Sequence, residues 1–167
     1  PRRATERPAT RGTTGAAPAN DRKKGFEEAI KDQPDMKIIK SQTADFRRAD
    51  GKQVMESFIH AEGANITAVY AHNDDMALGA IQALQAAGME PGGKVLVISI
   101  DAVRAAFEAM IAGRLNATVE CNPLMGPLLF DTMDKHFKGE AIPKKIINQD
   151  RLFEQKDAAE TIKTREY

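Results

Sequence analysis

A histidine, an amide and two carboxylates stand side by side at His72-Asn73-Asp74-Asp75, directly after an apolar run from Ile66 to Ala71. The run is β-branched and aromatic enough for a buried parallel strand. Met76, Ala77, Ala80, Ile81, Leu84 and Ala87 then recur at helical spacing until Gly88. A strand that breaks into polar residues and turns into a helix delivers them beyond its carboxyl end, where open α/β sheets bind their ligands. Other predicted strand ends add to the set. Phe46 follows the first strand, Asp101 the third, and Cys121 with Asn122 the fourth, while Arg22 opens the first helix. A carboxylate, an amide, a guanidinium and an aromatic ring together suit a sugar. Vicinal hydroxyls both donate and accept, so Asp101 and Asn73 can each bridge two of them and Arg22 can donate in a planar fork. The ring of Phe46 can cover the apolar C–H face of a sugar. The expectation is that Arg22, Phe46, Asn73 and Asp101 converge on one concave rim.

Each of these residues has a plainer reading. Asn73 and Asp74 are a natural N-cap and first-turn carboxylate, and Asp101 could cap its own helix. Phe46 could belong to the core, although Asp45, Arg47 and Arg48 around it suit an exposed loop, and Arg22 could be solvated beside Lys23 and Lys24. His60 and His136 read as surface residues. His72 could line the site, but no histidine or cysteine stands at ligand spacing from it, so no metal site is expected. Enzymatic readings have less support. Asp74, Asp75 and Asp101 could serve as a glycosidase pair only at a suitable separation. Cys121 has no histidine base near it in sequence. Gly12-Thr13-Thr14-Gly15 lacks the lysine and spacing of a phosphate loop, and no strand end carries dinucleotide-binding glycines. Binding without catalysis, and without a cofactor, is the expectation.

The elements that must position these residues alternate strictly. A helix from Arg22 to about Lys31, capped by Asp21, precedes a strand over Met36 to Ser41. A helix from Asp50 to about Ala61 precedes the strand ending at Ala71. Val95 to Ile100 is the most apolar strand. A helix from Ala102 to about Ala112 leads to a short strand at Ala117 to Glu120. Beyond Cys121 the pattern loosens: a helix is expected from about Pro127 to Phe137, a last strand at Lys144 to Asn148 and a short helix at Ala158 to Lys163. Such alternation predicts an α/β fold, a doubly wound parallel sheet with helices on both faces.

With 167 residues, 42% of them hydrophobic and 29% charged, the chain suits one globular domain. Lysine plus arginine equals aspartate plus glutamate at 24 each, so no overall field favours nucleic acid or an acidic membrane. One cysteine excludes an intrachain disulfide. No run approaches the roughly 18 apolar residues of a membrane span, and no signal peptide opens the chain. Residues 1–11, with Arg2, Arg3, Arg7 and Arg11, have the composition of a disordered leader or a cloning remnant. As a basic arm they lack interleaved aromatic residues to stack on bases, so no nucleic acid partner is expected.

Gly12-Thr13-Thr14-Gly15, Asp21-Arg22-Lys23-Lys24-Gly25-Phe26, Ala44-Asp45-Phe46, His72-Asn73-Asp74-Asp75-Met76-Ala77-Leu78-Gly79-Ala80, Ser99-Ile100-Asp101 and Ala117-Thr118-Val119-Glu120 resemble the ribose-type periplasmic sugar-binding proteins of ABC importers, most nearly their galactofuranose-binding branch. The resemblance runs from about residue 12 to 167 and covers the second of the family's two lobes. It implies a type I periplasmic binding protein lobe over 12–122, followed over 123–167 by segments that in the family cross to the first lobe and return. It implies sugar contacts at Arg22, Phe46, Asn73 and Asp101, with Cys121 where the ribose binders carry glutamine, a departure that argues against ribose. It also implies a monosaccharide ligand, ABC permease subunits as partners, a periplasmic location and closure by a hinge. LacI-type repressors share the fold, but no helix-turn-helix is present here. The apolar face of the helix near Leu128 to Phe137 would pack on the first lobe in the family, so it is expected to be covered by a second chain or a homodimer partner, or to pack differently.

Overall fold

The computed structural model describes residues 5–167. Strands β1 (Thr5–Arg11), β2 (Met36–Thr43), β3 (Ala68–Ala71), β4 (Leu96–Asp101), β5 (Ala117–Glu120) and β6 (Leu152–Glu154) form one sheet in the order β2-β1-β3-β4-β5-β6. The first five run parallel, and β6 is antiparallel to β5. Helices α1 (Ala17–Ile30), α2 (Arg48–Glu62), α3 (Asp74–Ala86) and α4 (Arg104–Ile111) supply the crossovers, and α5 (Gly126–Phe137) and α6 (Gln155–Thr161) follow β5 and β6. The expected doubly wound α/β lobe is present. Successive side chains of a strand point to opposite faces, and β3 shows both. Tyr70 stacks on Phe26 of α1 with ring centroids 4.2 Å apart. Val69 and Ala71 enter the core with Met55 and Phe58 of α2 and Met76 and Leu84 of α3.

Three expectations are corrected. The leader expected to be disordered over residues 1–11 is a strand from Thr5, and residues 1–4 lie outside the described residues. It is an interior strand, with Ala9 and Thr10 buried between β2 and β3. Pro8, which has no N–H for a ladder, sits where the pairing with β2 skips a residue, from Arg7↔Ile38 to Pro8↔Lys40. The last strand is Leu152–Glu154 instead of Lys144 to Asn148, which is irregular and largely exposed. It reverses direction, so the sheet is mixed at that edge. Phe153 explains the choice: it is buried edge-on against Phe107 of α4 with centroids 5.2 Å apart, whereas Ile146 and Ile147 are exposed.

The α2–α3 contact carries two glycines. A methyl group on Gly79 would lie 2.1 Å from the Arg48 carbonyl oxygen and 2.7 Å from the Lys52 nitrogen, and one on Gly51 would lie 2.7 Å from Met76 Cα. This close approach pins the amino ends of the two helices together, and the loops that enter them carry Phe46 and Asn73. Gly79→Ala is therefore expected to lower stability by about 1–3 kcal/mol through overpacking, read as a lower urea midpoint at unchanged slope. A midpoint equal to the parent's would mean that the helices separate freely.

Candidate functional site

The site is built from four strand-to-helix turns at the carboxyl edge of the sheet. At β3–α3, Asn73 is the N-cap: its Oδ1 accepts from Met76 N at 3.0 Å, and its Nδ2 donates to the Phe46 carbonyl at 3.2 Å. The capping role considered for Asn73 is thus realised, and the same amide holds the neighbouring turn. At β2–α2, Asp45 and Phe46 both have positive φ, 48° and 60°. That left-handed stretch brings the Phe46 ring against Gly12, where a Cβ would stand 1.9 Å from the ring. Thr43 Oγ1 donates to the Gly12 carbonyl at 2.8 Å and ties the first and second turns together.

Arg22 of α1 reaches across the top of the sheet. It donates to the His72 carbonyl at 2.5 Å and to Asp101 Oδ1 at 3.2 Å, and its guanidinium carbon lies 5.8 Å from the Phe46 ring centroid. The Arg22 and Asp101 side chains keep 16% and 28% of their surface, so both still meet solvent. Burial raises the Asp101 pKa and Arg22 opposes it. Asp101 and Ala102 have φ of 122° and 60°, a left-handed turn of two non-glycine residues at the rim. Arg22, Phe46, Asn73 and Asp101 therefore lie together at one edge of the sheet, Asn73 being buried at 8% exposure. Cys121 is exposed beside them, its backbone N–H donating to the Asp101 carbonyl at 3.3 Å.

Two residues work beneath the rim. His72 is 1% exposed, and its Nδ1 accepts from Gly12 N at 3.3 Å. Burial first, then Arg22, Arg11 and Lys23, push its pKa down to about 4, so the ring is neutral with its proton on Nε2. Asp74 is 1% exposed and takes hydrogen bonds from the Ser99 and Thr118 hydroxyls, the latter at 2.8 Å, and from Val103 N at 2.8 Å. Burial pushes its pKa up to about 6 against these three donors. The sequence reading missed this role. Its signal was a hydroxyl in each of two otherwise apolar strands, Ser99 in β4 and Thr118 in β5. Asp75, by contrast, pairs with Arg48 at 2.6 Å in solvent. Among the described residues no group of three or more metal-ligating side chains gathers, and no helix is long and apolar enough to cross a membrane.

Residues 9–141 match the model of the periplasmic binding protein domain. The chain belongs to this family. It is 54% identical over 137 residues to the galactofuranose-binding protein YtfQ of Escherichia coli (strain K12), a match that covers 81% of this chain and 43% of that protein. A crystal structure of a galactofuranose binding protein superposes with a TM-score of 0.92 at 46% identity, covering 98% of this chain and 56% of that one. The arabinose transporter's binding component from Shewanella sp. ANA-3, bound to α- and β-L-arabinofuranose, gives 0.90 at 42% identity, covering 97% and 54%. The chain thus spans about half the length of the relatives it matches.

Two buried groups whose shifted values fall between about pH 4 and 6, His72 and Asp74, oppose one another. The folded state holds His72 near 4, below the ordinary value of about 6.5, so it binds fewer protons than the unfolded chain and the His72 contribution grows as pH rises from about 4 to 6.5. Asp74 is held near 6 instead of about 4, so the Asp74 contribution is complete at low pH and is lost as pH rises through about 6. His72→Gln removes the rising limb only. Relative to the parent, this variant is expected to gain stability between pH 7 and pH 4.5, measured by urea unfolding at both. Parallel profiles for the two proteins would remove His72 from this balance.

Proposed function

We propose that this chain is a sugar-binding lobe of the solute-binding component of an ABC importer, acting in the periplasm without catalysis and taking galactofuranose or a related hexose. The convergence of Arg22, Phe46, Asn73 and Asp101 on one partly open edge carries this reading. Arg22 and Asp101 are already paired, so the rim offers a donor fork and an acceptor with balanced charge, which favours neutral hydroxyls over an ionic ligand. Phe46, braced by Gly12 and Asn73, presents a ring for stacking on a sugar face. Asn73 keeps one N–H and one lone pair beyond those used in the cap. Two of the most similar relatives are described as binding galactofuranose, and a third was solved with arabinofuranose, which supports a furanose ligand.

The second lobe of the receptor would supply the other half of the contacts and close over the sugar by a hinge, and the closed form would dock on the permease. The segment after Cys121 fits that division. Leu128, Leu129, Met133 and Phe137 of α5 are all exposed, Phe137 at 79%. We assign that face to contact with a first lobe or, in its absence, with a second chain or homodimer partner.

Calorimetry with galactofuranose, galactopyranose and ribose is expected to show weak binding by this chain, with galactofuranose preferred, and Asp101→Asn should weaken it about tenfold. Binding indifferent to Asp101→Asn and Phe46→Ala would place the ligand elsewhere, and tight binding would show that one lobe suffices. Sedimentation velocity is expected to show self-association that Leu129→Glu abolishes. A compact monomer with α5 solvated would contradict the assigned contact.

A further inference from the structure

The turn that aims Asp101 is held from outside the sugar rim. After α6, a 3-10 turn at Ile162–Thr164 brings residues 165–167 back to the carboxyl end of β4. There Arg165 Nε donates to the Ala102 carbonyl at 2.6 Å, and Arg165 Nη1 donates to Glu120 Oε1 at 2.7 Å. The guanidinium lies among the rings of Phe107, Phe153 and Tyr167, 5.1, 5.2 and 4.1 Å from their centroids. Tyr167 Oη donates to the same Glu120 oxygen at 2.7 Å, and the Tyr167 carbonyl accepts from Arg104 N at 2.7 Å. The Arg165 and Glu120 side chains are 8% and 7% exposed, so this is a buried, stacked ion pair and not a solvated one.

These bonds fall on the strained residues. Asp101 and Ala102 occupy φ values that side-chain-bearing residues seldom adopt, and such conformations persist only where their surroundings over-determine them. Ala102 N is taken by the Thr118 hydroxyl at 3.2 Å and Val103 N by Asp74, both from the sheet side. The Ala102 carbonyl and the Arg104 N–H are left to residues 165–167. The hydrogen bonds and ring contacts of this strap go to no side chain of the rim. We infer that Arg165, with Tyr167 and Glu120, is a positioning element that keeps the Asp101–Ala102 turn left-handed, and through it sets the affinity of the site for its sugar. The affinity half of this inference rests on the sugar-binding reading above, whereas the conformational half does not.

The test separates them. Arg165→Met keeps much of the buried stem and removes the fork. Backbone couplings and amide shifts of Asp101 and Ala102, recorded without ligand on the 15N-labelled chain, are expected to move toward ordinary extended values, while those of Phe46 and Asn73 stay. Galactofuranose affinity by calorimetry should fall about tenfold, and Arg165→Lys, which restores the charge but not the fork, should recover it only in part. Glu166→Ala, an exposed neighbour, should change neither readout. Unchanged Asp101 and Ala102 signals in folded Arg165→Met would overturn the inference whether or not the parent binds sugar. If Arg165→Met fails to fold, Arg165→Lys decides: shifted Asp101 and Ala102 signals support the strap's role, and parental signals overturn it. Shifted signals with parental affinity would also overturn it, by cutting the turn from binding. A parent chain that binds no sugar would count against the functional proposal alone, leaving the couplings to decide this one.

Discussion

One buried carboxylate holds the carboxyl edge of the sheet together. Asp74 begins α3, yet its acceptors serve β4 through Ser99, β5 through Thr118 and the start of α4 through Val103 N. Burying a charge is costly unless every lone pair meets a donor. Here three donors and the amino end of its own helix share that task. Because those donors come from β4, the start of α4 and β5 while Asp74 itself follows β3, the strand ends cannot slide past one another without leaving the carboxylate exposed to an apolar interior. The rim above inherits its geometry from that constraint.

Above Asp74 the edge is a set of mutually braced turns. Two of them, Asp45–Phe46 and Asp101–Ala102, hold non-glycine residues at positive φ, and each is restrained by side chains distant in sequence. Asn73 grips the first through the Phe46 carbonyl, and the second is held by Thr118 and Arg165. Arg22 lies between them, bonded to Asp101 and resting near the Phe46 ring. Local strain of this kind, over-determined by packing, fits a site organised before its ligand arrives.

The helices and the apolar strands were legible because burial imposes a period on them. Val95 to Ile100 and the Met76, Ala80, Leu84 series announce themselves in this way. The approach of Phe46, Asn73 and Asp101 to one edge was legible too, since each followed a predicted strand, whereas Arg22 was placed only at the start of a predicted helix. What could not be read was anything set by partners far along the chain. β1 looks like a solvated leader because Arg7 and Arg11 dominate it. Its place comes from two flanking strands, which bury Ala9 and Thr10. Lys144 to Asn148 and Leu152 to Glu154 are similar in local preference, and only the fit of Phe153 against Phe107 selects the second. Asp74 reads as an ordinary first-turn acid until Ser99 and Thr118 are brought to it.

The break at Pro8 has a mechanical consequence. An uninterrupted ladder would transmit any shift at the start of β1 directly to Gly12, and from there to His72 and the Phe46 ring. The skipped residue opposite Pro8 lets the two halves of the strand settle in separate registers, while Ala9 and Thr10 stay locked to Tyr70 and Ala71. A shift among Thr5–Arg7 thus meets a break in the ladder before it reaches the upper edge, much as an expansion joint isolates one span from the next.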